Sequence, residues 1–151
     1  MTFEELGLMP RLVEQLKEQG IVDPTPIQIQ AIPHALAGRD VMGLAQTGTG
    51  KTAAFGLPIM NHLLKVGKKP APKTVRGLIL APTRELAGQI KDNLTAYSQG
   101  THIKVGLVVG GMSISAQVNR LARGTDLLIA TPGRLIDLIE RKAVDLSETQ
   151  F

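Results

Sequence analysis

The chain contains no cysteine and no tryptophan, and aromatic residues make up only 3% of it. Without cysteine there is neither a disulfide framework nor a thiolate metal site, and a reducing compartment is permitted. The three histidines, His34, His62 and His102, lie far apart with no metal-ligand spacing, so they read as ordinary surface or core residues. A domain that reads RNA by stacking bases on a sheet needs clustered aromatics on alternate strand positions. Phe3, Phe55, Tyr97 and Phe151 do not cluster, so any nucleic acid would be held by its backbone. No apolar run approaches the ~20 residues that a membrane span needs. The start, Met1-Thr2-Phe3-Glu4-Glu5, is acidic where a secretory leader is basic. The expectation is a soluble cytoplasmic protein without membrane contact.

What is present suffices for one globular domain: 151 residues, 43% of them hydrophobic. A net charge of +4 and a pI near 9.6 favour a polyanionic partner. Residues 10–19 read as a helix with Pro10 in its first turn, Leu12, Val13 and Leu16 on one face, and Gly20 ending it. Asp23-Pro24-Thr25-Pro26 is a rigid turn before a helical stretch over 27–37. Short apolar runs at 41–45, 77–81, 104–109 and 126–130 read as buried strands. Helical patterns follow them at 51–64, 84–98, 113–123 and 133–142. This alternation predicts an α/β fold with a parallel sheet covered by helices on both faces. Lys65 to Arg76, KVGKKPAPKTVR, holds five basic residues and no acidic one, and reads as a solvated loop.

The stretch from Ala45 to Thr52 carries the clearest chemistry. A predicted strand runs into Gln46-Thr47-Gly48-Thr49-Gly50, and a helix begins near Lys51-Thr52. That order is what a phosphate-binding loop requires. Gly48 and Gly50 let the backbone curl its N–H groups toward phosphate oxygens, and the helix N-terminus adds partial positive charge. Lys51 would reach the β- and γ-phosphates, and the Thr52 hydroxyl would ligate Mg²⁺.

A loop of the form Ala-x-Thr-Gly-x-Gly-Lys-Thr resembles motif I of the DEAD-box ATP-dependent RNA helicases, of the bacterial type. Gly20-Ile21-Val22-Asp23-Pro24-Thr25-Pro26-Ile27-Gln28 resembles their adenine-reading Q motif, with Phe3 at the place of the isolated upstream aromatic. Pro82-Thr83-Arg84-Glu85-Leu86-Ala87 resembles motif Ia and Thr131-Pro132-Gly133-Arg134 motif Ib, with Gly110-Gly111 between them. The resemblance runs in order along essentially the whole of 1–151. It implies a Q-motif region over 1–38 and a P-loop core with motifs I, Ia and Ib over 39–151. The implied fold is a RecA-like P-loop NTPase, incomplete at its C-terminal end.

The glutamine amide of Gln28 has donors and an acceptor matched to the adenine edge, which would select ATP over GTP. Taken alone, Gln28 is a helix surface residue. Thr25 could cap the 27–37 helix, and the resemblance also sets it against the phosphate loop. Phe3 would pack beside Gln28 and the adenine. In motifs Ia and Ib a strand ends, Thr83 or Thr131 stands at a helix cap, and Arg84 or Arg134 follows within the first turns. Such helix starts offer N–H groups, a hydroxyl and a guanidinium to phosphates without reading bases. Plain strand–turn–helix connections, with Pro132 opening a helix, would fit either motif alone. In a parallel sheet both sites and the phosphate loop open toward one edge.

The sequence contains no Asp-Glu-Ala-Asp tetrad, no Ser-Ala-Thr motif and no second RecA-like domain. Without the aspartate that orients Mg²⁺ and the glutamate that activates water, the 151 residues are expected to be inactive by themselves. Two readings remain: the amino-terminal part of a helicase that couples ATP hydrolysis to opening RNA duplexes, or a non-catalytic nucleotide- and RNA-binding module. In the implied fold, strand 41–45 lies between strands supplied from beyond Phe151. A monomer of 1–151 is then expected to be partly folded, with strand exchange between copies as one remedy.

Overall fold

The computed structural model describes residues 1–45 and 50–151. Helices α1 (Pro10–Glu18) and α2 (Pro26–Leu36) precede α3 (Lys51–Val66). Then follow β1 (Val75–Leu80), α4 (Arg84–Tyr97), β2 (Val105–Val108), α5 (Ile114–Leu121), β3 (Thr125–Ala130) and α6 (Pro132–Glu140). Among the described residues no helix is long and apolar enough to cross a membrane.

The three strands form a parallel sheet in the order β1-β3-β2, so the last strand lies in the middle. All six β3 residues are buried, and their alternation divides the interior. Leu127 and Ile129 join Phe3, Leu12, Leu16, Ile32, Leu57, Met60 and Leu94 beneath α1 to α4. Leu128 and Ala130 join Val75, Val108, Leu121, Leu135 and Leu138 beneath α5 and α6. This is the period-2 signature of a strand covered on both faces. The N-terminal segment is tied in by one buried polar contact: Asn61 Oδ1 on α3 accepts from the Met9 N–H at 2.8 Å, at the start of α1.

The expected helices and three of the four expected strands are present, with β1 beginning at Val75, where it pairs with Thr125. The fourth is a correction. Residues 41–45 form no strand, and Met42 and Leu44 stand 89% and 88% exposed. A strand needs a neighbour's N–H and C=O groups, and residues 41–45 pair with none of the described strands. The outer edge of β1 is taken up at its start by the C-terminal residues. Gln150 N–H donates to Arg76 O at 2.9 Å, and Leu78 N–H donates to Phe151 O at 2.9 Å. The Phe151 ring stacks on His62 of α3 with centroids 4.7 Å apart.

Hydrogen exchange should resolve this difference. Amides of Met42 to Ala45 are expected to exchange at close to random-coil rates, and those of Leu127 to Ala130 only by global opening, at ~5–15 kcal/mol for a typical domain. Protection at 41–45 comparable to that of β3 would contradict the unpaired arrangement.

Candidate functional site

The C-terminal ends of all three strands face one edge of the sheet, as parallel pairing requires. Three connections leave from there. After β1, Pro82 and Thr83 lead into α4, and the Thr83 hydroxyl accepts the Leu86 N–H at 3.2 Å as an N-cap. After β2 comes the turn of Gly110, Gly111 and Met112. After β3, Thr131 precedes Pro132 at the first position of α6, and its hydroxyl makes no capping bond among the described residues.

Arg84 and Arg134 converge on the middle connection. Arg84 Nη1 donates to Gly110 O at 3.5 Å, at the long limit of a hydrogen bond, while Arg134 Nη1 donates to Met112 O at 2.9 Å. Gly111 has φ +79°, and a Cβ there would collide with Arg84 Nη1. Only glycine combines the left-handed backbone with that approach. Pro82, Thr83, Gly111 and Gly133 are exposed, and Gly110, Thr131 and Arg134 partly so. The residues expected from motifs Ia and Ib and the glycine pair thus form one surface.

Reading the sequence missed Gln117, which is the keystone of this cluster. It is buried on α5, its Nε2 donates to Val109 O at 3.0 Å, and its Oε1 accepts from Arg134 Nη1 at 3.0 Å. The signal was available: Ile114, Gln117, Val118 and Leu121 fall on one helical stripe, so a glutamine there faces inward and must be paired.

The other half of the edge is the start of α3. Its N-cap, Gly50, has φ +85°, and a Cβ there would meet the Gln28 amide and lie 3.0 Å from Thr25 Oγ1. Gln28 is 3% exposed. Its Oε1 accepts from Thr25 N–H at 3.0 Å and its Nε2 donates to Gly50 O at 3.1 Å. In this conformation the amide ties the start of α2 to the start of α3 rather than presenting itself to a ligand. Thr25 Oγ1 is buried with no hydrogen-bond partner among the described residues. Phe3 is a correction: at 1% exposure its ring belongs to the core, packed by the N-terminal turn, and has no open face for an adenine.

Gln46, Thr47, Gly48 and Thr49, expected to cradle phosphates, lie outside the described residues. Lys51 is exposed and Thr52 half-buried on the first turn of α3. They border a cleft of about 400 Å³ that reaches Leu80 at the end of β1 and Leu86 at the start of α4. Apart from these two side chains the cleft lining is apolar. The ion pairs among the described residues, Lys17 with Glu4 and Arg141 with Asp137, leave Lys51, Arg84 and Arg134 without a carboxylate. No group of three His, Asp or Glu residues that could hold a metal occurs among the described residues. In the described lining of the cleft, Thr52 carries the one side-chain oxygen that could meet a cation.

The chain matches the DEAD/DEAH box helicase family over residues 25–151. It belongs to that family. A DEAD-box ATP-dependent RNA helicase CshA of Streptococcus pneumoniae is 45% identical over 99% of the chain and 28% of its own length. The ATP-dependent rRNA helicase RRP3 of Meyerozyma guilliermondii is 46% identical over 99% of the chain and 31% of its own length. A crystal structure of the RNA-helicase Prp28 from Chaetomium thermophilum bound to ADP superposes with a TM-score of 0.88 at 41% identity, covering 97% of this chain and 36% of that one. The chain thus spans about a third or less of these family members. The family's α/β architecture, a parallel sheet between helices, is the one observed.

Gln117→Ala would strand the buried Val109 carbonyl and remove one of the two acceptors of Arg134 Nη1, at a cost of about 1–3 kcal/mol. Thermal denaturation is the check. A melting temperature equal to that of the unchanged chain would remove Gln117 from its keystone role.

Proposed function

We propose that this chain is the part of an ATP-dependent RNA helicase that binds ATP at the start of α3 and an RNA phosphate backbone at the starts of α4 and α6. The carrying observation is the convergence of Arg84 and Arg134 on the Gly110–Met112 turn, with no carboxylate to neutralise them. Two guanidiniums, an uncapped Thr131 hydroxyl and glycine backbone at one sheet edge suit phosphate oxygens and carry no base-reading geometry. Thr25 Oγ1 beside Gly50 and the exposed Lys51, neither with a side-chain partner among the described residues, support an anion at the neighbouring helix start.

Lys51 would neutralise the terminal phosphates, and Thr52 would hold the Mg²⁺ that accompanies them. The ion supplies charge neutralisation when bound. Gln28 would meet an adenine edge by exchanging its bonds to Thr25 and Gly50, which frees the donors and acceptor of its amide. The 151 residues hold no Asp-Glu-Ala-Asp, so we assign them binding without hydrolysis. Duplex opening would belong to a longer chain with a second RecA-like domain.

Competition binding tests the nucleotide half. Gln28→Ala should lower the preference for ATP over GTP by ~1–3 kcal/mol. Because the ratio is read within one variant, a general loss of stability does not mimic the effect. An unchanged ratio would sink the assignment. For the RNA half, Arg84→Ala or Arg134→Ala should weaken binding to all sequences alike and lower the salt slope by ~0.7 for each contact to a single strand. A loss that depends on base sequence would show that these arginines read bases.

A further inference from the structure

The opposite edge of the sheet carries a second cationic surface that the proposed function does not use. It surrounds the N-terminal ends of β2 and β3, about 20 Å from the first edge at ~3.3 Å per strand residue. A cleft of about 640 Å³ there is lined by Lys91 of α4, Lys104 before β2, and Arg120 and Arg123 of and after α5. A second hollow of about 220 Å³ shares Lys104 and Arg123 and adds Lys68, Lys69 and His102. The six Lys and Arg residues here are a third of the chain's 17. The one carboxylate in either lining, Asp126, is buried, and its Oδ2 is engaged by the Lys104 N–H at 2.8 Å. None of the six makes an ion pair among the described residues.

The basic loop between α3 and β1 is solvated, with Lys65 to Lys69 exposed, and its backbone is held against this surface. Gly124, at φ +86°, lies so close to the loop that a Cβ would stand 2.6 Å from Ala71 O and 2.9 Å from Pro70 O. Within the loop, Thr74 Oγ1 donates to Ala71 O at 2.7 Å, and Arg76 Nη2 donates to Lys69 O at 3.2 Å. Lys68 and Lys69 are thereby held next to Arg123. Like charges brought together without counter-ions raise the local potential and destabilise the fold slightly unless an anion visits them.

We infer that this edge is a second binding surface for the sugar-phosphate backbone of RNA, running from Lys68 and Lys69 past Arg123 and Lys104 to Arg120 and Lys91. The cations follow a path across two clefts that share Lys104, Arg123 and Gly124, and Val105, Leu107 and Pro70 are the only apolar side chains among the described lining. That favours an extended polyanion over an acidic protein, which would need apolar contacts to bind specifically.

The experiment titrates a fluorescent 20-nucleotide oligouridylate into the 151-residue chain and into Lys104→Gln/Arg123→Gln, at several salt concentrations. The inference expects affinity to fall by roughly tenfold and the salt slope by ~1.4, two contacts at ~0.7 each for a single strand. Arg84→Ala/Arg134→Ala, at the other edge, should show its own separate loss, so failure at either edge is read independently. A second measurement needs no variant: oligouridylate should protect Lys68, Lys69, Lys91 and Lys104 from acetylation by an amine-reactive ester. Unchanged affinity with unprotected lysines would overturn the inference. So would protection by polyglutamate but not by RNA, which would mark the edge as a protein-docking surface.

Discussion

The parallel pairing of β3 with both of its neighbours is the constraint on which the rest of the structure depends. Because β3 comes last in sequence and lies in the middle in space, neither β1 nor β2 has an inner partner until the chain has reached Thr125. Its alternating side chains then separate the interior into the two layers beneath the helices. Parallel direction fixes the chemistry as well. Every turn that leaves a strand C-terminus is delivered to one edge, and every turn that enters a strand is delivered to the other.

The two edges solve the placement of positive charge differently. At the exit edge, Arg134 is braced by the oxygens of Met112 and Gln117, while Arg84 reaches Gly110 O only at the long limit of a hydrogen bond. Such bracing spares the ordering cost that a free arginine would pay on binding. At the entry edge, the cations stand on backbone that is itself fixed, while their side chains make few contacts. The first arrangement suits a small number of defined phosphate positions; the second suits a diffuse and mobile strand.

Much of this was legible in the sequence because the residues concerned act through local rules. Pro10 and Pro132 open helices, Thr83 caps one, and the apolar runs of β1, β2 and β3 read correctly as strands, of which β3 is buried along its whole length. What was not legible depended on distant partners. Residues 41–45 carry a strand's composition, but a strand exists only where another offers its edge. Phe3 reads as an isolated aromatic, and only its packing beneath α1 and α3 shows that it is core. Gln28 was singled out for its amide, yet the choice of Gly50 O as its acceptor lies 22 residues away. Gln117 was passed over although its stripe placed it inside.

The close approach of Gly124 to the Pro70 and Ala71 carbonyls has a consequence for how the chain tolerates changes in length. Connections between a helix and a strand usually accept insertions readily, because they float on the surface. Here the stretch from Lys69 to Thr74 is held by its own hydrogen bonds and by the Gly124 backbone, so an added residue would displace Thr74 from the start of the sheet. Gly67, also left-handed and with nothing within 4 Å of a would-be Cβ, is where the connection can lengthen. An epitope or spectroscopic label grafted after Gly67 would leave the sheet intact. The same graft three residues later would not.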